Sequence, residues 1–136
     1  MNTPPDLLRA VRDWVAEHLG SVRVVTTLPK GERLDSQLEQ GPVVALTRGV
    51  GGGYVKGERR VLIDVDVLSR DEETMWATTD QTWRVLDEMT AQFVGGVLVD
   101  QMRVHNGPGQ VGPGQVGHEN PGVKRTFATY RMTTRS

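Results

Sequence analysis

Two aspartates, Asp64 and Asp66, are the side chains of this sequence whose type and spacing come nearest to a reactive site. In an extended strand residues i and i+2 project on one face, so their carboxylates stand together. Such a pair can hold Mg²⁺ or work as acid and base. No third carboxylate or histidine follows at a spacing that would complete either device. The residues alone therefore favour a solvated or interface-facing strand surface over a catalytic one. His18, His105 and His118 show no metal-ligand spacing, and the cysteine count of 0 removes thiolate zinc sites, disulfides and cysteine nucleophiles. No metal or cofactor site is expected. Gly49, Gly51, Gly52 and Gly53 suggest a phosphate loop only superficially. The Lys-Ser/Thr ending is missing, and the next element reads as a strand rather than a helix whose N-terminus would meet a phosphate.

The elements that carry these residues can be read from periodicity. Leu7, Leu8, Val11, Trp14, Val15, His18 and Leu19 share one face of a helix that follows Pro4, Pro5 and Asp6 and stops at Gly20. Residues 22–26 read as a short β-branched strand. Residues 28–41 read as a polar loop with at most one turn of helix. Residues 42–48 read as a strand and 49–57 as a flexible glycine-rich connection. Residues 58–68 form the clearest strand, with Val61, Ile63, Val65 and Val67 on one face and Leu62, Asp64, Asp66 and Leu68 on the other. Ser69 and Glu72 have capping-box spacing. The helix they open is expected to reach about Phe93, ended by Gly95 and Gly96, with Met75, Trp76, Thr79, Trp83, Leu86, Met89 and Phe93 as its apolar stripe. Core packing is the expected role of Trp76 and Trp83, with a subunit contact as the other use of one of them.

Residues 97–105 and 123–134 complete the strands. Between them a pentapeptide, Gly107-Pro108-Gly109-Gln110-Val111, is repeated at once as Gly112-Pro113-Gly114-Gln115-Val116. A Gly/Pro tandem of this kind reads as a mobile or extended loop, and two copies are too few for a repeat architecture. The order α-β-β-β-α-β-β implies an α+β fold in one domain over residues 1–136. A mostly antiparallel sheet would carry two amphipathic helices packed on one face, with mobile loops at 49–57 and 106–121.

Bulk properties narrow the function classes. With 16 Lys+Arg against 17 Asp+Glu the formal net charge is -1, and the cations are scattered, which gives no footprint for nucleic-acid binding. The first residues show neither a basic nor an apolar signal region, and no apolar run approaches the ~20 residues that span a bilayer, so no membrane partner is expected.

Arg60-Val-Leu-Ile-Asp-Val-Asp-Val-Leu-Ser69, followed by a capped helix with Trp83-Arg-Val-Leu86, resembles tail terminator (tail completion) proteins of long-tailed bacteriophages of high-GC actinobacteria. Val104-His-Asn-Gly-Pro108, and Glu119-Asn-Pro-Gly-Val-Lys-Arg-Thr-Phe-Ala-Thr-Tyr-Arg-Met132, fit that family's Gly-Pro turn, acidic-Asn-Pro loop and basic pair entering an alternating strand. The duplicated pentapeptide departs from the pattern. The resemblance implies a non-enzymatic structural protein assembled in the host cytoplasm into a homo-oligomeric, hexameric ring at the tail–neck junction of the virion. Its partners would be the tail tube protein, whose polymerisation it stops, and a head-completion or neck protein. Double-stranded DNA would only pass through the lumen.

On that reading Gly49, Gly51, Gly52, Gly53, Tyr54, Lys56 and Arg59 are candidates for the subunit or tube interface, and Asp64 and Asp66 for the lumen or an interface face. Gly107, Pro108, Gln110, Pro113, Gln115, His118 and Glu119 are candidates for a loop projecting from the ring. The long strands 58–68 and 123–134 are expected to offer edges for pairing between subunits. Other readings are a neck stopper protein, a small Mg-dependent hydrolase using Asp64 and Asp66, and a module that binds a peptide at a sheet edge.

Overall fold

Alternation and helical periodicity produce nine elements in the computed structural model, which describes residues 7–55, 57–111 and 122–135. In chain order they are α1 (Leu7–Leu19), β1 (Arg23–Val25), α2 (Gly31–Glu39), β2 (Val43–Val55), β3 (Glu58–Ser69), α3 (Glu72–Asp87), β4 (Phe93–Val94), β5 (Val97–Val111) and β6 (Lys124–Arg135). The strands form one sheet in the order β1-β2-β3-β6-β5-β4. Only β1 and β2 are parallel; every other neighbouring pair is antiparallel. This is the expected α+β architecture, enlarged by α2 and the two-residue β4.

The sheet has two unlike faces. Val61, Ile63, Val65 and Val67 of β3 join Val44 and Leu46 of β2 and Ala128, Tyr130 and Met132 of β6 in the main core. Over that face lie α1, through Leu7, Val11 and Val15, and α3, through Met75, Val85 and Leu86. The helices also touch each other. Both helices thus share one face of the sheet, as their single stripes require.

Residues 31–39 differ from expectation. They form a true helix, not a polar loop, because Leu34 and Leu38 stand one turn apart and close on Val43, Leu68 and Val123 of the opposite sheet face. Two leucines in a polar stretch carry too little periodicity to be read alone. They suffice once a sheet surface is there to receive them. An exposed ion pair, Arg70 to Asp35 at 2.7 Å, links α2 to the turn before α3.

The buried stripe of α3 is rotated from the expected one. Thr78, Thr79 and Thr82 are buried, whereas Trp76 and Trp83 are 37% and 46% exposed and Phe93 is 71% exposed. Two of these hydroxyls are satisfied inside the helix: Thr79 Oγ1 donates to Met75 O and Thr82 Oγ1 to Thr78 O, each at 2.7 Å. That leaves methyl groups for packing at Thr79, which was expected in the stripe, and at Thr82, which was not. Thr79 also meets the Thr126 hydroxyl of β6 at 2.7 Å, a buried pair that tethers helix to sheet. The N-cap is Asp71, accepting from Thr74 N at 2.8 Å, rather than Ser69; Ser69 Oγ accepts from Asp71 N instead. The helix ends at Asp87, short of Phe93, and Gly95 and Gly96 turn the β4–β5 hairpin.

Two glycine-bearing segments expected as loops are strand. β2 continues through Gly49, Gly51, Gly52 and Gly53, pairing Gly52 with Val61 and Tyr54 with Arg59 after two extra residues are accommodated beyond Arg48. Gly52 has φ +97°, and a Cβ there would stand 2.3 Å from the Arg60 carbonyl oxygen. The residue is glycine because two backbones meet, not because the chain is loose. Likewise β5 extends to Val111, so the first pentapeptide copy is strand. At Gly107 (φ +85°) a Cβ would stand 2.7 Å from Phe127 O, and Gly107-Pro108 is cis. The second copy, together with Pro4, Pro5 and Asp6, lies outside the described residues.

Since α2 is held by a cluster of five buried side chains, Leu38→Ala should destabilise the chain by about 2–5 kcal/mol. Urea unfolding monitored by circular dichroism measures this; a loss below about 0.5 kcal/mol would mean that α2 is not docked.

Candidate interaction surfaces

Asp64 and Asp66 stand on the sheet face opposite α1 and α3, paired in register with Thr129 and Phe127 of β6. Asp66 is 3% exposed. Its Oδ1 accepts from Arg125 Nε at 2.7 Å and also from the Nη2 of the same guanidinium. Burial raises the Asp66 carboxyl above its usual range, while the Arg125 charge and hydrogen bond pull it down and the Asp64 charge adds slightly to the rise. Asp64 is half-buried, and its Oδ1 accepts from Thr129 Oγ1 at 2.8 Å. Both carboxylates are therefore engaged by β6, across the very ladder that joins β3 to it. Among the described residues no group of three His, Cys, Asp or Glu side chains comes together as a metal site would need. The Tyr130 hydroxyl, on the other face, is pushed up to about 12 by burial and then by the Asp87 charge.

The other candidate residues divide between the two ends of the sheet. Register places Tyr54 beside Arg59, Arg59 beside Thr134, and Thr134 beside Val99 at one end. At the other end Val43 pairs with Leu68, Leu68 with Arg125, and Arg125 with Val111. Gly51, Gly52, Gly53, Tyr54 and Arg59 thus share the first end, with Gly49 further along β2. Gly107, Pro108 and Gln110 approach the second. The twelve residues of β3 between these ends span roughly 40 Å. Lys56, Pro113, Gln115, His118 and Glu119 lie outside the described residues, as does the side chain of Tyr54.

The open edges are not those expected. β3 and β6 are the central strands, each paired on both sides, so neither offers an edge. The outer edges belong to β1 and β4, which are short, and to the long flanks they leave uncovered. β1 covers β2 only from Val43 to Ala45, and β4 covers β5 only at Val97 and Leu98. Sequence reasoning missed these flanks because strand order is set by long-range pairing, which no local pattern encodes. It also missed a groove of about 760 Å³ between α1, the segment after β1 and α2, whose cations are scattered in sequence.

The fold and surfaces define an α+β sheet domain with helices on both faces and with candidate contact residues at strand ends and flanks. No family model and no curated protein sequence matches the chain. Among solved structures it is similar to a chain of one described as "Virion of native gene transfer agent (GTA) particle", with 14% sequence identity and a TM-score of 0.58. The likeness covers 96% of this chain and 92% of that one, and it is a likeness of fold.

The Asp66–Arg125 pair supplies the test of this face. Asp66→Ala should cost about 3–5 kcal/mol at neutral pH, because a guanidinium loses its buried counter-ion. Asp66→Val combined with Arg125→Met should recover most of that loss in the same urea titration. Because the folded carboxyl titrates above the ordinary 3.8, the folded chain keeps this proton to a higher pH than the unfolded chain. Measured against Asp66→Asn, wild-type stability should be greatest below pH 3.8 and fall as pH rises through the folded value.

Proposed function

We propose that the chain is a non-enzymatic structural protein of a virion, a tail terminator that forms a hexameric ring on the tail tube, stops its polymerisation and offers the surface for head–tail joining. The observation that carries this reading is the fold likeness to a virion chain over 96% of this chain. It agrees with the sequence resemblance of residues 60–69, 83–86, 104–108 and 119–132 to tail terminators.

Several physical features support it. A ring needs heterologous contacts, in which one surface of a subunit fits a different surface of its neighbour. The unpaired flanks of β2 and β5 lie on opposite sides of the sheet, which is the arrangement head-to-tail strand pairing requires. A terminator must also meet a tube on one side and a neck on the other. The β2–β3 end, with Gly51, Gly52, Gly53, Tyr54, Lys56 and Arg59, is the assigned tube or subunit contact. The opposite end, which Gly107, Pro108 and Gln110 approach, is assigned to the loop that projects from the ring. The sheet face bearing Asp64 and Asp66 is assigned to the lumen or to a subunit contact. A formal net charge of -1 suits a lumen through which DNA slides without being held.

Adding the purified chain to polymerising tail tube protein should give capped tubes of limited length in negative-stain micrographs. Deleting residues 51–53 should weaken this capping while far-ultraviolet circular dichroism stays that of a folded chain. Tubes of unchanged length with the intact chain would overturn the terminator reading, and full capping by the deletion would overturn the assigned contact.

A further inference from the structure

The segment 23–27 ends the sheet at the side away from the main strand pairings, and its first three residues, Arg23–Val25, pair on one side only. Val24 belongs to the core under α1, whereas Val25 packs against the cluster under α2. The groove of about 760 Å³ is lined by both residues, and so it straddles the sheet edge with one helix on each side. Its walls carry Arg9 and Arg12 from α1, and Lys30 and Arg33 from the start of α2. None of its lining residues is acidic.

Among the described residues Arg9, Lys30 and Arg33 make no ion pair, and Arg12 has only its helix neighbour Asp13, at 2.8 Å from Nη2. Two polar atoms of the lining are buried without a hydrogen-bond partner, Arg12 Nε and Gln37 Oε1. One is a donor and the other an acceptor, and each costs free energy until it is satisfied. Elsewhere Arg70 is paired with Asp35 and Arg125 with Asp66 across elements.

We propose that the β1 edge groove is a docking site for an extended acidic segment of a partner protein. The segment adds to the sheet beside β1 by backbone hydrogen bonds, and its carboxylates meet Arg9, Arg12, Lys30 and Arg33. An unpaired strand edge supplies the peptide-backbone recognition, and the cations on both walls supply the preference for acid. The orphaned donor and acceptor match what an incoming peptide unit offers, a carbonyl and an N–H. An edge flanked by helices admits one strand and no further sheet growth, which separates a docking groove from an aggregation-prone edge. The inference stands apart from the terminator reading, since none of the residues assigned above lines the groove.

The test is a ¹H–¹⁵N NMR titration of the full chain with an acetylated, amidated Val-Glu-Val-Glu-Val-Glu peptide, its Val-Gln counterpart and free glutarate. The Glu peptide should shift the amides of residues 23–27. It should bind at least about tenfold more tightly than the Gln peptide, and the gap should shrink as salt is raised. Arg9→Glu with Arg33→Glu, both exposed positions, should weaken binding by about tenfold or more and leave the unfolding midpoint unchanged. Equal binding of the two peptides, equal shifts with glutarate, shifts confined to β2 or β5, or no shift at residues 23–27 would each overturn the proposal.

Discussion

The antiparallel ladder between β3 and β6 fixes most of what this molecule can present to others. All twelve residues of β3 pair with β6 without a slip, from Glu58 against Arg135 to Ser69 against Lys124. Because side chains alternate, that single register decides which residues form the core and which form the outer face. It places Ile63 and Tyr130 beneath the helices, and it puts Asp64 and Asp66 with Thr129 and Arg125 on the other side. The buried Asp66–Arg125 pair reinforces the register: a slip of one residue would turn Asp66 into the apolar core and separate it from its counter-ion. Irregularity is confined to the partners outside this pair, where β2 slips beyond Arg48 and β5 slips near Val99, Val104 and Asn106.

Those irregularities give the glycines their meaning. Gly52 and Gly107 sit where two backbones approach so closely that a Cβ would collide with a carbonyl oxygen. Residues 52–55 and 109–111 are accordingly paired strand. A chain with its contact residues at the ends and flanks of a rigid sheet is suited to binding large, regular surfaces. A chain that gathers its chemistry in one enclosed pocket is suited to small molecules. Asp64 and Asp66 could have served the second purpose, yet each is occupied by a partner on β6.

Much of the architecture was legible in sequence for a simple reason. The alternation in residues 58–68 and the apolar spacing in α1 are strong local signals, and both survive folding because tertiary burial agrees with them. The misreadings share a different cause. Thr82 joins the buried side because a helix carbonyl takes up its hydroxyl, a possibility that a hydrophobicity pattern does not register. Tryptophans 76 and 83 face outward although their type suggests core. α2 depends on a surface made by Val43, Leu68 and Val123, none of which is near it in sequence except Val43. The β1 groove was invisible for the same reason: Arg9, Arg12, Lys30 and Arg33 meet only after a parallel strand brings α1 and α2 to the same edge.

The proposed role of this sheet is that of a ring-forming subunit at the end of a tube. Electron microscopy of the purified chain mixed with preformed tail tubes tests it most directly. The expected result is a ring of roughly six copies at one end of each tube, with strand flanks of neighbouring subunits in contact. Bare tubes beside a monomeric protein, or subunits decorating the tube wall along its length, would contradict it.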